Sequence, residues 1–311
     1  MTKIKAIAFS AYGSADVLRV TAVDSPVPGP GQVRIAVRSA GVNPIDFKIR
    51  RGDMAGYVPV EFPYVPGREA SGVVEAVGDG VTGVQAGDTV FGPTVTGSYA
   101  EQALADAVRL VVKPVSLSWE QAAALPVAAE TAWRALELLD LLEGDTLLVH
   151  GAAGGVGTMA VQFARSRDIR VVGTASEFNH EYLRGLGALP VAYGEGLVDR
   201  VQEIAPEGVD AALDAVGKGD AVGVSVELTG DPERVVTIAD PEGAERHQVR
   251  FSGGTSDADR TVQALNAALG LHEAGLLQMP IHRTYPLEEA AEAQRASEHG
   301  HLTGKIVLTV A

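Results

Sequence analysis

One stretch constrains the chain more than any other: Leu147-Leu-Val-His150, then Gly151-Ala-Ala-Gly-Gly-Val-Gly157, then an apolar run to Ala164. A short apolar run, a burst of small residues and a second apolar run read as a strand turning sharply into a helix. Small residues are required where the helix packs close to the strand it leaves. The surrounding pattern extends the unit. Strand Thr146–His150 is followed by helix Val156–Arg167, strand Arg170–Thr174 by helix His180–Leu186, and strand Ala211–Ala215 by another helical stretch. Strand Val235–Ile238 comes near the end of the series. Strand–helix alternation with strands apolar on both sides predicts an α/β fold, a doubly wound parallel sheet covered on both faces.

The texture upstream is different. Ala6–Phe9, Gln32–Arg38 and Ala70–Val77 are strand candidates, separated by turn-rich Pro26–Gly31 and Val77–Val81. Such short strands and turns predict a β-rich first domain. Glu120–Asp140 is rich in Ala, Leu and Glu and reads as helix, which Pro126 either kinks or restarts. The tail offers helix Leu287–Glu298 and strand Lys305–Thr309, whose alternation fits it to complete the first domain. At 311 residues two domains are expected. Their expected limits are 1–122 completed by 283–311, and 123–282.

Charge narrows the partners. Asp and Glu number 40 against 25 Lys and Arg, a formal net charge of −15, which repels phosphate backbones and anionic lipid. Neither nucleic acid nor a membrane is an expected partner. There is no cysteine, so disulfides, thiolate catalysis and cysteine-bearing zinc sites are excluded. No apolar run approaches the ~18 residues of a membrane span, and a cytoplasmic protein is expected.

A strand, a glycine turn and a helix N-terminus together offer free amides to a pyrophosphate. The small run resembles the dinucleotide fingerprint G-x-G-x-x-G with Ala152 in the slot of the first glycine. Gly154 lets the backbone approach the phosphates, Gly157 lets the helix lie against the strand, and Gly155 and Val156 lie between them. The second strand ends Val171-Val-Gly-Thr-Ala-Ser176, without the carboxylate that usually reads an NAD ribose. That favours a 2′-phosphate, with Ser176 and Tyr193 as hydroxyl donors and Arg184 as a cation. Glu177 argues the other way. A ligand-free tight turn is the alternative reading of the loop, and a solvated helix face that of Arg184.

With these residues in place, the chain resembles the quinone oxidoreductase branch, without zinc, of the medium-chain dehydrogenase/reductase superfamily. The resemblance rests on Ala40-Gly-Val-Asn-Pro-Ile-Asp46, Pro66-Gly-Arg-Glu-Ala-Ser-Gly-Val-Val74, Gly97-Ser-Tyr-Ala-Glu101, Leu125-Pro126 with Thr131-Ala-Trp133, the Gly151–Gly157 loop and Gly304-Lys-Ile-Val307. It covers essentially the whole chain. It implies a GroES-like catalytic domain beside a Rossmann domain, NADPH as cofactor and a homodimer. It also makes the missing first glycine a character of the branch.

Where zinc-dependent relatives carry ligands, this chain has Asn43, Arg68 and, near the third position, Val127, so no metal is expected. His299 and His301 lie close in sequence, a pairing more often without function, and His150 reads as a packed residue. Many quinone reductases have lysine at the position of Phe178, so facing a 2′-phosphate falls here to Asn179 or Arg184.

The resemblance implies hydride transfer to a small-molecule quinone or an α,β-unsaturated carbonyl. Negative charge then grows on oxygen, and donors must stand where it develops. The catalytic candidates are Asn43, which can instead position the cofactor, Lys48, alternatively a solvated lysine beside Arg50 and Arg51, and Tyr57. Thr131 resembles the hydroxyl that contacts nicotinamide, and Gly253 and Gly254, in Phe251–Thr255, resemble the stretch passing nearby. Asp46 and Glu69 read as buttresses. Two other readings stay open: an enoyl-thioester reductase, and a non-catalytic NADPH-binding protein with a structural or redox-sensing role.

Overall fold

The computed structural model describes residues 2–254 and 260–310. Thr255 and the middle of the Ser252–Arg260 loop lie outside the described residues. By the density of its own contacts the chain divides into two compact units, residues 1–127 with 279–311, and residues 128–278.

In the first unit, β1 (Lys3–Ala8) pairs antiparallel with β2 (Arg19–Asp24). The body is a sheet of β3 (Gln32–Val42), β4 (Glu69–Val77), β5 (Thr89–Pro93), β6 (Gln102–Asp106) and β7 (Val111–Val112). Along β3, Val33, Ile35 and Val37 are buried while Gln32, Arg34 and Ala36 are half-buried, the period-two pattern of a sheet with one covered face. Helix α1 (Pro44–Arg51) follows β3 and α2 (Trp119–Ala123) follows β7. Pro126 starts a fresh helix, α3 (Pro126–Leu139), instead of kinking a long one. Proline lacks the N–H that an interior helical position needs and suits the first one.

Among the described residues the second unit holds six strands, all parallel: β8 (Thr146–His150), β9 (Arg170–Ala175), β10 (Leu189–Ala192), β11 (Ala211–Asp214), β12 (Val235–Thr237) and β13 (Arg250–Phe251). Their order across the sheet is β10-β9-β8-β11-β12-β13. Between them run α4 (Gly155–Arg165), α5 (His180–Gly185), α6 (Leu197–Ile204), α7 (Ala221–Thr229) and α8 (Pro241–His247), with α9 (Thr261–Glu273) after β13. Each residue of β8 is buried, as a central strand under two helical layers requires.

The tail returns to the first unit. There β14 (Ile281–Pro286) lies parallel to β15 (Lys305–Thr309), and β15 pairs antiparallel with residues 39–42 of β3. Helix α10 is Ala290–His299; Leu287–Glu289, expected as its first turn, is a separate 3₁₀ turn. The chain thus has the anticipated fold class, a Rossmann parallel sheet together with a GroES-like β-rich portion.

Candidate functional site

The turn from β8 into α4 shows why small residues stand there. Gly151 has φ +71°, a left-handed conformation that favours glycine. Its N–H donates to Thr174 Oγ1 at 3.2 Å, and Ala152 N–H donates to Thr174 O at 3.0 Å, tying the loop to β9. Ala152 is buried, and a Cβ on Gly173 of β9 would stand 2.8 Å from the Ala152 methyl. The methyl that replaces the fingerprint's first glycine therefore sits where β9 has none. At Gly157 a Cβ would lie 2.2 Å from Gly151 O and 2.6 Å from Ala152 Cα, so only glycine permits this approach of helix and loop. Gly154 caps α4 without any side-chain hydrogen bond. The N–H groups of Gly155, Val156 and Gly157 open the helix and have no acceptor within it. They lie at the positive end of its dipole.

Because the six strands are parallel, their C-terminal ends share one edge. The 151–157 loop follows β8, Ser176 follows β9, Tyr193 follows β10 and Ser252–Gly254 follow β13, so the sheet brings these segments to that edge. Ser176 is half-buried and accepts a hydrogen bond from Asn179 Nδ2 at 3.3 Å. Tyr193, Phe178, Glu177 and Arg184 are exposed, Arg184 in the last turn of α5. The end of β9 carries no carboxylate of its own, the first being Glu177. Gly253 is held through its carbonyl by Arg134 Nη1 at 3.0 Å, and the same guanidinium bonds Ser252 Oγ. Thr131 lies half-buried on α3, away from the strand ends in sequence.

His150 is buried at the end of β8, 3.0 Å from Ser225 Oγ. Burial holds its pKa down to about 4 against the pull of Asp214. Asp214 is itself buried, accepting from Val216 and Gly217 N–H at 2.9 and 3.0 Å and from Thr237 Oγ1 at 2.7 Å. Both residues lock strand ends.

In the first unit Asn43 caps α1 and is buried. Its amide Nδ2 donates to Glu69 Oε1 at 2.7 Å, and its Oδ1 accepts from Lys305 Nζ. Lys305 also donates to Glu69 Oε1 at 2.8 Å, and the other Glu69 oxygen accepts from Val127 N–H at 2.7 Å. Asp46 Oδ2 accepts from Asn43 N–H and from Tyr99 OH, both at 2.9 Å. Burial raises its pKa to about 6, these hydrogen bonds and Lys305 working against the rise. Asp46 and Glu69 thus fasten the segment that carries Asn43. One amide hydrogen of Asn43 is committed to Glu69, leaving a second. Lys48 lies half-buried in the last turn of α1, and five helical residues place it about 140° around the axis from Asn43. Tyr57 is 85% exposed, outside any regular element.

Residues at the zinc-ligand positions do not fit a metal. Asn43 is engaged by an ammonium, Arg68 is cationic and exposed, and Val127 takes part through its backbone. Among the described residues no three His, Asp or Glu side chains gather as a metal-holding group, and His299 and His301 pack edge to face with ring centroids 6.2 Å apart.

Sequence reasoning missed Lys305 as a member of this cluster, although it lies in Gly304–Val307. Lys305 and Asn43 are 262 residues apart, and only the β15–β3 pairing joins them. It also left Gly173 unremarked; its one signal was a glycine inside a strand pattern.

Comparison with known proteins agrees with this geometry. Residues 29–115 match the family described as alcohol dehydrogenase GroES-like domain, and residues 186–308 that described as zinc-binding dehydrogenase. Human quinone oxidoreductase is 32% identical over 328 residues, covering 98% of this chain and 97% of that protein. A segment amounting to 5% of the Streptomyces halstedii polyketide synthase GfsB is 39% identical over 90% of this chain. A mycobacterial structure described as complexed with NADPH superposes with TM-score 0.85 at 27% identity, over 98% of this chain and 99% of that one. With its helix-opening glycine turn, its tail-completed β-rich unit and a quinone oxidoreductase matched almost end to end, the chain belongs to the quinone oxidoreductase branch of the medium-chain dehydrogenase/reductase superfamily and is an oxidoreductase of that type.

Proposed function

We propose that this chain is a zinc-independent, NADPH-dependent oxidoreductase that passes hydride to a quinone or an α,β-unsaturated carbonyl. The observation that carries the reading is the β8–α4 turn, where Gly157 admits close approach and three helix-opening amides are without an intrahelical acceptor. When bound there, NADPH supplies the hydride. The chain's own groups hold it: the Gly155–Gly157 amides face the pyrophosphate, and Ser176, Tyr193 and Arg184 serve the 2′-phosphate. The lack of a carboxylate at the end of β9 supports NADPH over NADH. Thr131 and the backbone of Gly253 and Gly254 border the nicotinamide.

Residues 1–122 with 283–311 are the catalytic domain in this proposal, and 123–282 the cofactor domain. The Lys48 ammonium or, about 140° away around α1, the second amide hydrogen of Asn43 steadies the oxygen on which charge develops, and the Tyr57 phenol supplies a proton. The described residues offer no ligand set for zinc, which leaves the electrostatic work to these groups. The protein works in the cytoplasm as a homodimer; among the described residues no helix is long and apolar enough to cross a membrane. Neither an enoyl-thioester reductase nor a non-catalytic module is favoured by a specific observation.

An acceptor panel decides the matter: an ortho-quinone, a simple enone and an enoyl thioester, each with NADPH and with NADH. The expected result is NADPH oxidation with the quinone or the enone, faster than with NADH, and undiminished by a chelator. Tight NADPH binding without oxidation by any acceptor overturns the proposal.

A further inference from the structure

The first unit carries a groove of about 390 Å³ that takes in Arg68, the residue before Glu69. Its walls come from Val58–Pro59, Pro63–Val65, Gly67–Arg68 and Thr94–Gly97. That volume suits a one- or two-ring molecule. Val58, Pro59, Pro63, Val65 and Val95 give it apolar walls. Four polar side chains, Tyr64, Arg68, Thr94 and Thr96, stand among them, and Thr96 Oγ1 accepts from Leu104 N–H at 2.9 Å. The Arg68 guanidinium is exposed and, among the described residues, makes no hydrogen bond or ion pair. Thr94 Oγ1 is buried and, among the described residues, has no hydrogen-bond partner. Burial pushes the pKa of the Tyr64 phenol up, against the pull of Arg68.

The charge distribution is the unusual part. The chain has 40 acidic residues, yet no Asp or Glu lines this groove. Among the described residues eight other arginines, Arg34, Arg50, Arg51, Arg134, Arg234, Arg250, Arg260 and Arg295, each hold a carboxylate. Arg68 is left as a local positive charge on a molecule whose net charge of −15 would otherwise repel an anion. A guanidinium presents donors in a planar fork that matches a carboxylate in two bonds. The Thr94 hydroxyl supplies one more donor. The groove is linked to the cluster by chain continuity, since Arg68 precedes buried Glu69, and Thr94 N–H donates to Arg68 O at 2.9 Å, joining two of its walls.

We infer that this groove seats the acceptor and selects one carrying a carboxylate, with Arg68 as the residue that recognises the anionic group. The inference rests on the reading of the protein as a quinone or enone reductase and names the class of acceptor that reading leaves open.

The test compares a naphthoquinone bearing a carboxylate with its uncharged methyl ester. Binding is measured by calorimetry, and turnover with NADPH is measured separately. The acid is expected to bind about tenfold tighter than the ester, the modest end for a charge-assisted pair reached by solvent. That ratio falls toward one in Arg68→Gln, is partly kept in Arg68→Lys, and shrinks as salt rises from roughly 0.05 to 0.5 M. Arg246→Gln, on exposed α8, keeps the wild-type ratio. An acid bound no tighter than its ester, or a ratio that survives Arg68→Gln, overturns the inference. Calorimetry separates the two readings. Preference in binding with turnover of neither compound sinks the proposed reaction alone, whereas turnover of both without preference sinks this inference alone.

Discussion

Lys305 Nζ lies 2.8 Å from Glu69 Oε1, with the two side chains 6% and 0% exposed, so an ammonium and a carboxylate meet where water does not reach either. Each charge is tolerable only because of the other. Lys305→Met leaves Glu69 buried and unpaired, and unit-one stability should fall by about 3–5 kcal/mol. The double variant Glu69→Gln/Lys305→Met should recover more than half of that loss. Urea unfolding followed in both proteins checks it; a double variant no better than the single would show that packing, not charge, dominates.

Two glycines of the β8–α4 turn should separate folding from binding. A Cβ at Gly157 meets backbone at 2.2 Å, whereas one at Gly154 has its nearest contact at 3.4 Å. Gly157→Ala is expected to cost about 1–3 kcal/mol of stability. Gly154→Val should leave the melting temperature near wild type while lowering NADPH affinity at least tenfold, because its side chain fills the phosphate approach. Retained affinity in Gly154→Val would displace the pyrophosphate from this loop.

Asp46 makes stability depend on pH in a defined direction. Burial raises its pKa to about 6 from the ordinary 3.8. The folded state therefore binds the extra proton between those values, and its contribution is full below pH 4 and lost as pH rises through 6. A folded-state pKa that far above the unfolded one is worth about 3 kcal/mol. Subtracting the unfolding free energies of Asp46→Asn from wild type at pH 4 and pH 7.5 should reveal a change of that size. A flat difference would mean that Asp46 stays ionised throughout.

His150 has the opposite slope. Its pKa falls to about 4 from 6.5 because burial disfavours the imidazolium, so the folded state keeps it neutral where the unfolded chain is charged. Stability from this group is full above pH 6.5 and declines as pH drops through 4. Amide exchange of β8 should accelerate between pH 6.5 and 4.5, after correction for intrinsic rates, and His150→Gln should remove the acceleration.

Lys48→Ala should lower kcat by about tenfold while NADPH affinity stays within a factor of two, if its ammonium steadies the developing oxyanion. An unchanged kcat returns Lys48 to the solvated face of α1.

How far the sequence could be read follows from the range of the forces involved. The β8–α4 turn is written in consecutive residues, because glycine's freedom and the apolar periods act locally, and Thr146–His150 emerges with the expected bounds. Pro126 carried its own signal too, though not which of its two effects would win. Long-range pairings were another matter. Asn43 stood out as a candidate, but the ammonium on its Oδ1 arrives on β15 from 262 residues away, and no local pattern encodes that. Arg68 was visible only as something other than a zinc ligand. Its acid-free surroundings depend on how the 58–68 and 94–97 segments meet.

The pairing of β15 with residues 39–42 of β3 also bears on how the chain is made. All six strands of the parallel sheet leave the ribosome before residues 305–309, the partner of Ser39–Val42, do. Until then the nascent chain presents an open strand edge, a template for mispairing with a neighbouring copy. A protease that removes β15 would recreate that edge in the folded protein, turning an enzyme into a seed for aggregation.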